Sequence, residues 1–143
     1  MEIKKRRFSI TPFQKKIDKP WGYEIIYTNE DSPVVGKILH LNGGARLSLQ
    51  YHDAKEETLC LIKGEALITL SDKNEKRVEI PMELNKGYFV VINQVHRVTA
   101  TTDADLIESS TPEKGNTVRL EDDAGRDTET EKMRNMKNRG WNK

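Results

Sequence analysis

The chain has 143 residues, 35% hydrophobic and 33% charged, and its 24 basic and 23 acidic residues leave a formal net charge of +1. That length supports one domain with a real core and not two comfortable ones. The balanced charge excludes a molecule drawn as a whole to nucleic acid or anionic lipid, so any charged ligand must be recognised locally.

The N-terminal segment, MEIKKRRFSITPFQKK, carries a basic cluster, Lys4, Lys5, Arg6 and Arg7, without the apolar stretch of a secretory signal. A solvated arm over residues 1–18 is expected. No stretch approaches the roughly 20 apolar residues of a membrane-spanning helix, and the single cysteine, Cys60, excludes an internal disulfide. The expectation is a cytoplasmic protein that contacts neither membrane nor nucleic acid, with Cys60 as a small buried hydrophobe in its apolar run.

From residue 21 to 120 the chain reads as short β-branched or aromatic runs separated by Gly, Pro, Asn and Asp. DKPWGYE supplies a rigid lead-in around Trp21. Strands are expected at residues 23–28, 34–41, 46–51, 57–64, 65–70, 77–82, 88–93, 96–101 and 105–110. Many short strands at this spacing predict an all-β sandwich or small barrel. Gly64, between two apolar runs, suits the positive φ of a tight hairpin. The two glycines of LNGGAR read as turn formers, since no helix follows them as a phosphate loop requires. The last segment, DAGRDTETEKMRNMKNRGWNK, is polar and is expected as a tail over 127–143 or a short helix near Glu129 to Met136.

Side chains alternate along a strand, so Gln50 and His52 project to one face and Leu49 and Tyr51 to the other. Glu57 opens the next run and His96 follows an apolar one. In a closed sheet such side chains converge on the interior. The set is two imidazoles, a carboxylate and an amide oxygen, with no thiolate. It suits a divalent ion, Zn, Mn, Fe, Co or Ni, with positions left open for water.

Gly44, Gln50, His52, Glu57 and Gly64 stand at the spacing of the first cupin motif, G-x5-H-x-H-x4-E-x6-G, with Gln in place of the first His. The second motif, P-x-G-x-x-H, retains only His96, with Val91 and Asn93 in place of Pro and Gly. KPWGYE, GARLSLQYH, VHRV and RLEDDAGR extend the likeness over residues 19–126. There the chain resembles the cupin domain of type II mannose-6-phosphate isomerases, which also occurs fused behind mannose-1-phosphate guanylyltransferases. Gln at the first ligand position is normal in that family. Asp53, Ala54, Lys55 and Thr58 replace its usual His, His, Arg and His.

The resemblance implies a cupin jelly-roll β-barrel, a metal held by Gln50, His52, Glu57 and His96, and an aldose–ketose isomerase acting on a sugar phosphate. It also implies a homodimer, because cupins commonly dimerise and a small sheet has edges to cover. Lys55, Glu56 and Asp53 are candidates for the catalytic base. Arg46, Arg97 and Arg126 are candidate phosphate contacts, because guanidinium binds phosphate oxygens in pairs. The alternatives are a non-catalytic cupin that binds a sugar or sugar nucleotide, and a cupin isomerase or epimerase with another sugar substrate. His40 lies outside both motifs and is expected as a partly buried strand histidine with a hydrogen-bond partner.

Overall fold

The computed structural model describes residues 8–141; the Lys4 to Arg7 cluster lies outside them. The strands, in chain order, are β1 (Lys15–Lys19), β2 (Gly22–Ile26), β3 (Val35–Leu41), β4 (Leu49–His52), β5 (Glu57–Lys63), β6 (Ala66–Ser71), β7 (Arg77–Pro81), β8 (Gly87–Val90), β9 (His96–Ala100), β10 (Ala104–Ser110) and β11 (Thr117–Glu121). They form a six-stranded sheet, β1-β2-β3-β10-β5-β8, and a five-stranded sheet, β11-β4-β9-β6-β7, with antiparallel pairing throughout. The two sheets face each other across one core, the jelly-roll barrel that the resemblance implied.

Nine of these strands fall on the runs expected from sequence; β1 and β11 do not. KKIDK has no apolar alternation, and it is a strand because its backbone pairs with β2, from Lys15 opposite Ile26 to Lys19 opposite Gly22. β11 forms in the same way against β4, with Arg119 opposite Gln50 and Thr117 opposite His52. Strand β1 therefore runs through residue 18, where the arm was expected to end. The C-terminal segment packs on the barrel: a short helix α1 (Glu131–Arg134), capped by Thr130, leads to a 3-10 turn at Arg139–Trp141. Glu129 and Arg139 are 4% and 6% exposed.

The inward row of each central strand changes character along its length. On β3 it is Lys37, then Leu39 and Leu41; on β5 it is Glu57, then Leu59 and Leu61. On β10 it is Glu108, then Leu106 and Ala104, and on β9 His96, then Val98 and Ala100. Register aligns these rows, with Leu106 opposite both Leu39 and Leu61. One half of the barrel is thus an apolar core, in which Leu39, Leu41, Leu59, Leu61, Ile68, Val98 and Leu106 are each at most 2% exposed. Burying each such side chain contributes about 2 kcal/mol. The other half is lined with ionisable groups.

Two turns position this arrangement. Gly64 adopts φ +86°, and a Cβ there would sit 2.1 Å from the carbonyl oxygen of Asp103, so the β5–β6 connection needs glycine. Gly22, at φ +150°, brings β2 against the His40 carbonyl where a Cβ would lie 1.9 Å away. Cys60 is half-buried, because alternation gives the inward positions of β5 to Leu59 and Leu61.

Candidate metal centre and its cavity

Three side chains converge where β4, β5 and β9 meet. His52, Glu57 and His96 each offer a ligand atom, and these atoms lie within 4.8 Å of one another. All three residues are buried, at 6%, 3% and 1% exposure. Oε1 of Glu57 stands 3.2 Å from Nε2 of His52 and 2.9 Å from Nε2 of His96. Gln50 lies opposite His96 across the β4–β9 pair and lines the same cavity.

The outer nitrogens orient the rings. Nδ1 of His96 lies 2.9 Å from the carbonyl oxygen of Gln94, an acceptor, so Nδ1 carries a hydrogen and Nε2 is the nitrogen turned toward Glu57. Nδ1 of His52 lies 3.1 Å from the hydroxyl of Thr117. Nε2 of His96 makes no hydrogen bond despite its closeness to Glu57, and Oε2 of Glu57 likewise has no hydrogen-bond partner. Unpartnered buried polar atoms on His96 and Glu57 are groups that a shared cation would satisfy. The spacing matches neighbouring ligands about one ion at bonds of about 2.1 Å, and backing a metal-ligating imidazole with a carbonyl or hydroxyl is the usual way its tautomer is held. The residues present therefore fit a divalent ion.

Electrostatics agree. Burial, then the Lys55 ammonium, pushes His52 down to about 4, so its ring is neutral and available as a ligand at neutral pH. Burial alone would raise Glu57, but Lys55 and the hydrogen-bonded His52 hold it well below the usual carboxylate range. It is the anionic member of the set.

His52 and Glu57 open on a cavity with about 60 Å³ of free space. Its wall is ionic. Lys55 reaches Glu108 at 3.3 Å and Glu57 at 3.5 Å. Lys37 contacts Glu24 at 3.2 Å and also pairs with Glu113, and Arg139 reaches Glu113 at 2.9 Å and Glu129 at 3.3 Å. Burial and the neighbouring Glu57 push Glu108 up to about 7, against the pull of Lys55 and Lys37. Lys55 is raised despite its burial, because Glu108 and Glu57 face it, and it stays protonated.

The sequence candidates distribute unevenly about this cavity. Lys55 is inside it. Asp53 is exposed, and its carboxylate accepts from the backbone and side-chain nitrogens of Asn116 at 2.7 and 2.9 Å. Glu56 does not line the cavity; its backbone N–H donates to Thr111. Arg46 is exposed and forms a two-bond pair with Asp123, at 2.7 and 2.8 Å, outside the cavity. Arg97 follows the inward His96 and so points away, its Nε donating to the carbonyl of Leu47. Arg126 does line the cavity, held by Asp122 at 2.7 Å. His40 has the expected partner, Asp105 at 2.6 Å, and stacks on Tyr23.

Sequence reasoning passed over Lys19, Glu24, Lys37, Glu108, Glu113, Arg119, Glu129 and Arg139, all lining this space. A signal existed for two of them. Lys37 and Glu108 occupy the same strand phase as Leu39 and Leu106, and a charge in the buried phase of a strand marks an interior group.

The family model described as mannose-6-phosphate isomerase C-terminal matches residues 8–124. No curated protein matches the chain. Among solved structures, an oxalate decarboxylase variant from Bacillus subtilis is similar at 18% identity and TM-score 0.63, over 73% of this chain and 30% of that one. Another structure of that enzyme, at 17% identity and TM-score 0.63 over the same shares, is described by its Mn(II) centres. The capsular polysaccharide assembling protein CapF from Staphylococcus aureus is similar at 14% identity and TM-score 0.62, over 87% of this chain and 33% of that one. At these identities the likeness is one of fold, and the chain spans about a third of the length of these structures.

Proposed function

The chain belongs to the mannose-6-phosphate isomerase C-terminal family of cupins, and on that premise we propose that it is a metal-dependent aldose–ketose isomerase acting on a hexose phosphate, with mannose 6-phosphate as the first candidate. The observation that carries the reading is the convergence of a bare His96 Nε2, a neutral His52 and an ionised Glu57 at the wall of a charged cavity.

His52, Glu57 and His96 would hold a divalent ion with Gln50 beside them, Mn being one candidate by analogy with the fold relative. Such an ion supplies Lewis acidity toward a sugar carbonyl or hydroxyl oxygen. The chain's own part is proton transfer. Interconverting an aldose and a ketose moves a proton between C2 and C1 and another between the two oxygens. Glu108 is the carboxylate placed to accept the carbon-bound proton, being inside the cavity and crowded by other acids. Lys55, protonated and 3.3 Å from it, is placed to stabilise negative charge as it develops on oxygen. Glu57 does not serve as base while it is a ligand. The exposed apolar residues of the edge strands, Val78 and Ile80 on β7 and Phe89 on β8, support a homodimer.

A second reading, a sugar-binding cupin without turnover, is favoured by the cavity itself. Ion pairs occupy much of the interior and leave only about 60 Å³ free, below the usual range for a small-molecule pocket. Metal analysis of the purified protein, with a mannose 6-phosphate isomerisation assay before and after chelation, separates the two. Metal-dependent turnover supports the isomerase; bound metal without turnover of any hexose phosphate refutes it. His52→Ala is expected to lose the metal while the far-ultraviolet spectrum keeps its β signature, since His52 belongs to the ionisable half and not to the apolar core. Full retention of metal would remove His52 from the ligand set.

A further inference from the structure

Two cations of the cavity are left with unmet donors. Lys19 is 8% exposed and lines the cavity, yet among the described residues its Nζ has neither a hydrogen bond nor a carboxylate within 4.0 Å. The carboxylates that act on it from farther away are Glu24 and Glu129. Both are already engaged, Glu24 with Lys37 at 3.2 Å and Glu129 with Arg134 and Arg139 at 3.2 and 3.3 Å. The Arg119 side chain is 6% exposed and lines the same space. Its Nε is buried without a partner, one terminal nitrogen donates to the carbonyl oxygen of Asp127, and its nearest carboxylate oxygen, on Glu129, is 4.0 Å away. Leaving a buried charged donor unpaired is costly, so the Arg119 Nε, with an unpaired Lys19 lining the same cavity, calls for a ligand.

Their placement says what kind. β1 and β11 are edge strands, one in each sheet, so Lys19 and Arg119 come from opposite sheets onto one cavity. Along β11, Arg119 lies two residues from Thr117, whose hydroxyl backs His52, and it is paired with Gln50. A ligand touching Lys19 and Arg119 therefore lies beside the metal-ligating trio. A lysine point charge with a guanidinium edge suits an oxyanion with several acceptor oxygens.

We propose that Lys19 and Arg119 form the seat for the phosphoryl group of the ligand, whose sugar end lies at His52, Glu57 and His96. The seat rests on reading the cavity as a sugar-phosphate site, and it transfers the phosphate-binding role from Arg46 and Arg97, which face elsewhere, to residues that face in.

Titration calorimetry on the protein as purified tests it, with inorganic phosphate, mannose 6-phosphate, mannuronate and mannose as probes. Lys19→Met and Arg119→Met are each expected to weaken phosphate and mannose 6-phosphate roughly 10- to 100-fold while leaving mannose unchanged. Lys19→Arg and Arg119→Lys keep the charge, are expected to recover part of the affinity, and carry the test if a methionine variant fails to fold. Phosphate affinity equal to wild type in the folded variants overturns the proposal, as does a wild type that binds no phosphate. Binding of mannuronate with rejection of mannose 6-phosphate overturns the phosphoryl assignment. Neither turnover nor metal content is the readout, so an inactive protein that still binds phosphate through Lys19 and Arg119 supports the seat while removing the isomerase.

Discussion

Glu108 is the residue on which the proposed chemistry turns. It shares Lys37 and Lys55 with Glu24, Glu57 and Glu113, all with largely buried side chains. Carboxylates crowded together cannot all remain ionised, and Glu108 is the one whose proton affinity rises toward neutrality. Glu108→Gln keeps shape and hydrogen bonding but cannot take a proton. It is expected to lower kcat about 10²- to 10⁴-fold with metal content unchanged; an unaltered kcat assigns the base elsewhere. The relation of His52 to Glu57 was legible from the sequence because one short turn separates them, whereas His96 joins them through the β4–β9 pairing. The strand phase of Glu108 marks it as interior, but its partnership with Lys55, 53 positions away, is made by the β5–β10 pairing.

Among the elements, the β5–β6 hairpin joins the site to the core, since β5 carries Glu57 at one end and Leu61 near the other. Its hinge, Gly64, combines a left-handed backbone with a close approach to Asp103. Gly64→Ala is expected to destabilise the fold by about 2 kcal/mol or more, read as a lower urea midpoint at unchanged slope; an unchanged midpoint would mean that the turn relaxes without cost. The hairpin was readable because glycine punctuation and flanking apolar runs are local signals. Strands β1 and β11 were not, since KKIDK and TVRLE have little apolar content of their own and take their conformation from the neighbour they pair with.

Across the whole molecule, the buried ion pairs tie the C-terminal segment to the barrel and make stability depend on pH. Burial would raise Glu24, but Lys37, Lys19 and Arg139 hold it down to about 2, against 4.5 for an ordinary glutamate. A depressed carboxylate contributes stability that is present above its unfolded value and is lost as pH falls from about 4.5 toward 2. His52 acts in the same direction at higher pH. Its folded value of about 4 lies below the ordinary 6.5, so the unfolded chain takes the proton first and stability declines across that interval. Glu108, raised to about 7, acts oppositely between about 7 and 4.5 and offsets His52 there. Urea midpoints of metal-free protein are therefore expected to change little down to about 4.5 and to fall below it, and Glu24→Gln is expected to flatten that decline. A decline unchanged by that substitution would place the acid sensitivity in other groups.

The residue order alone was enough for the all-β class, the spacing of His52 and Glu57, the glycine turn and the resemblance to cupins. All of these depend on contacts a few positions apart or on the period of a strand. Which charged side chains face the cavity was a matter for the folded chain. Arg97 turns out and Arg119 turns in through strand phase and register. Glu24, Glu113 and Arg139 meet because the C-terminal segment closes over the barrel. Strand phase can mark a charge as interior but does not say which distant charge it meets; partners are chosen by burial, where an unpaired charge is too costly to keep.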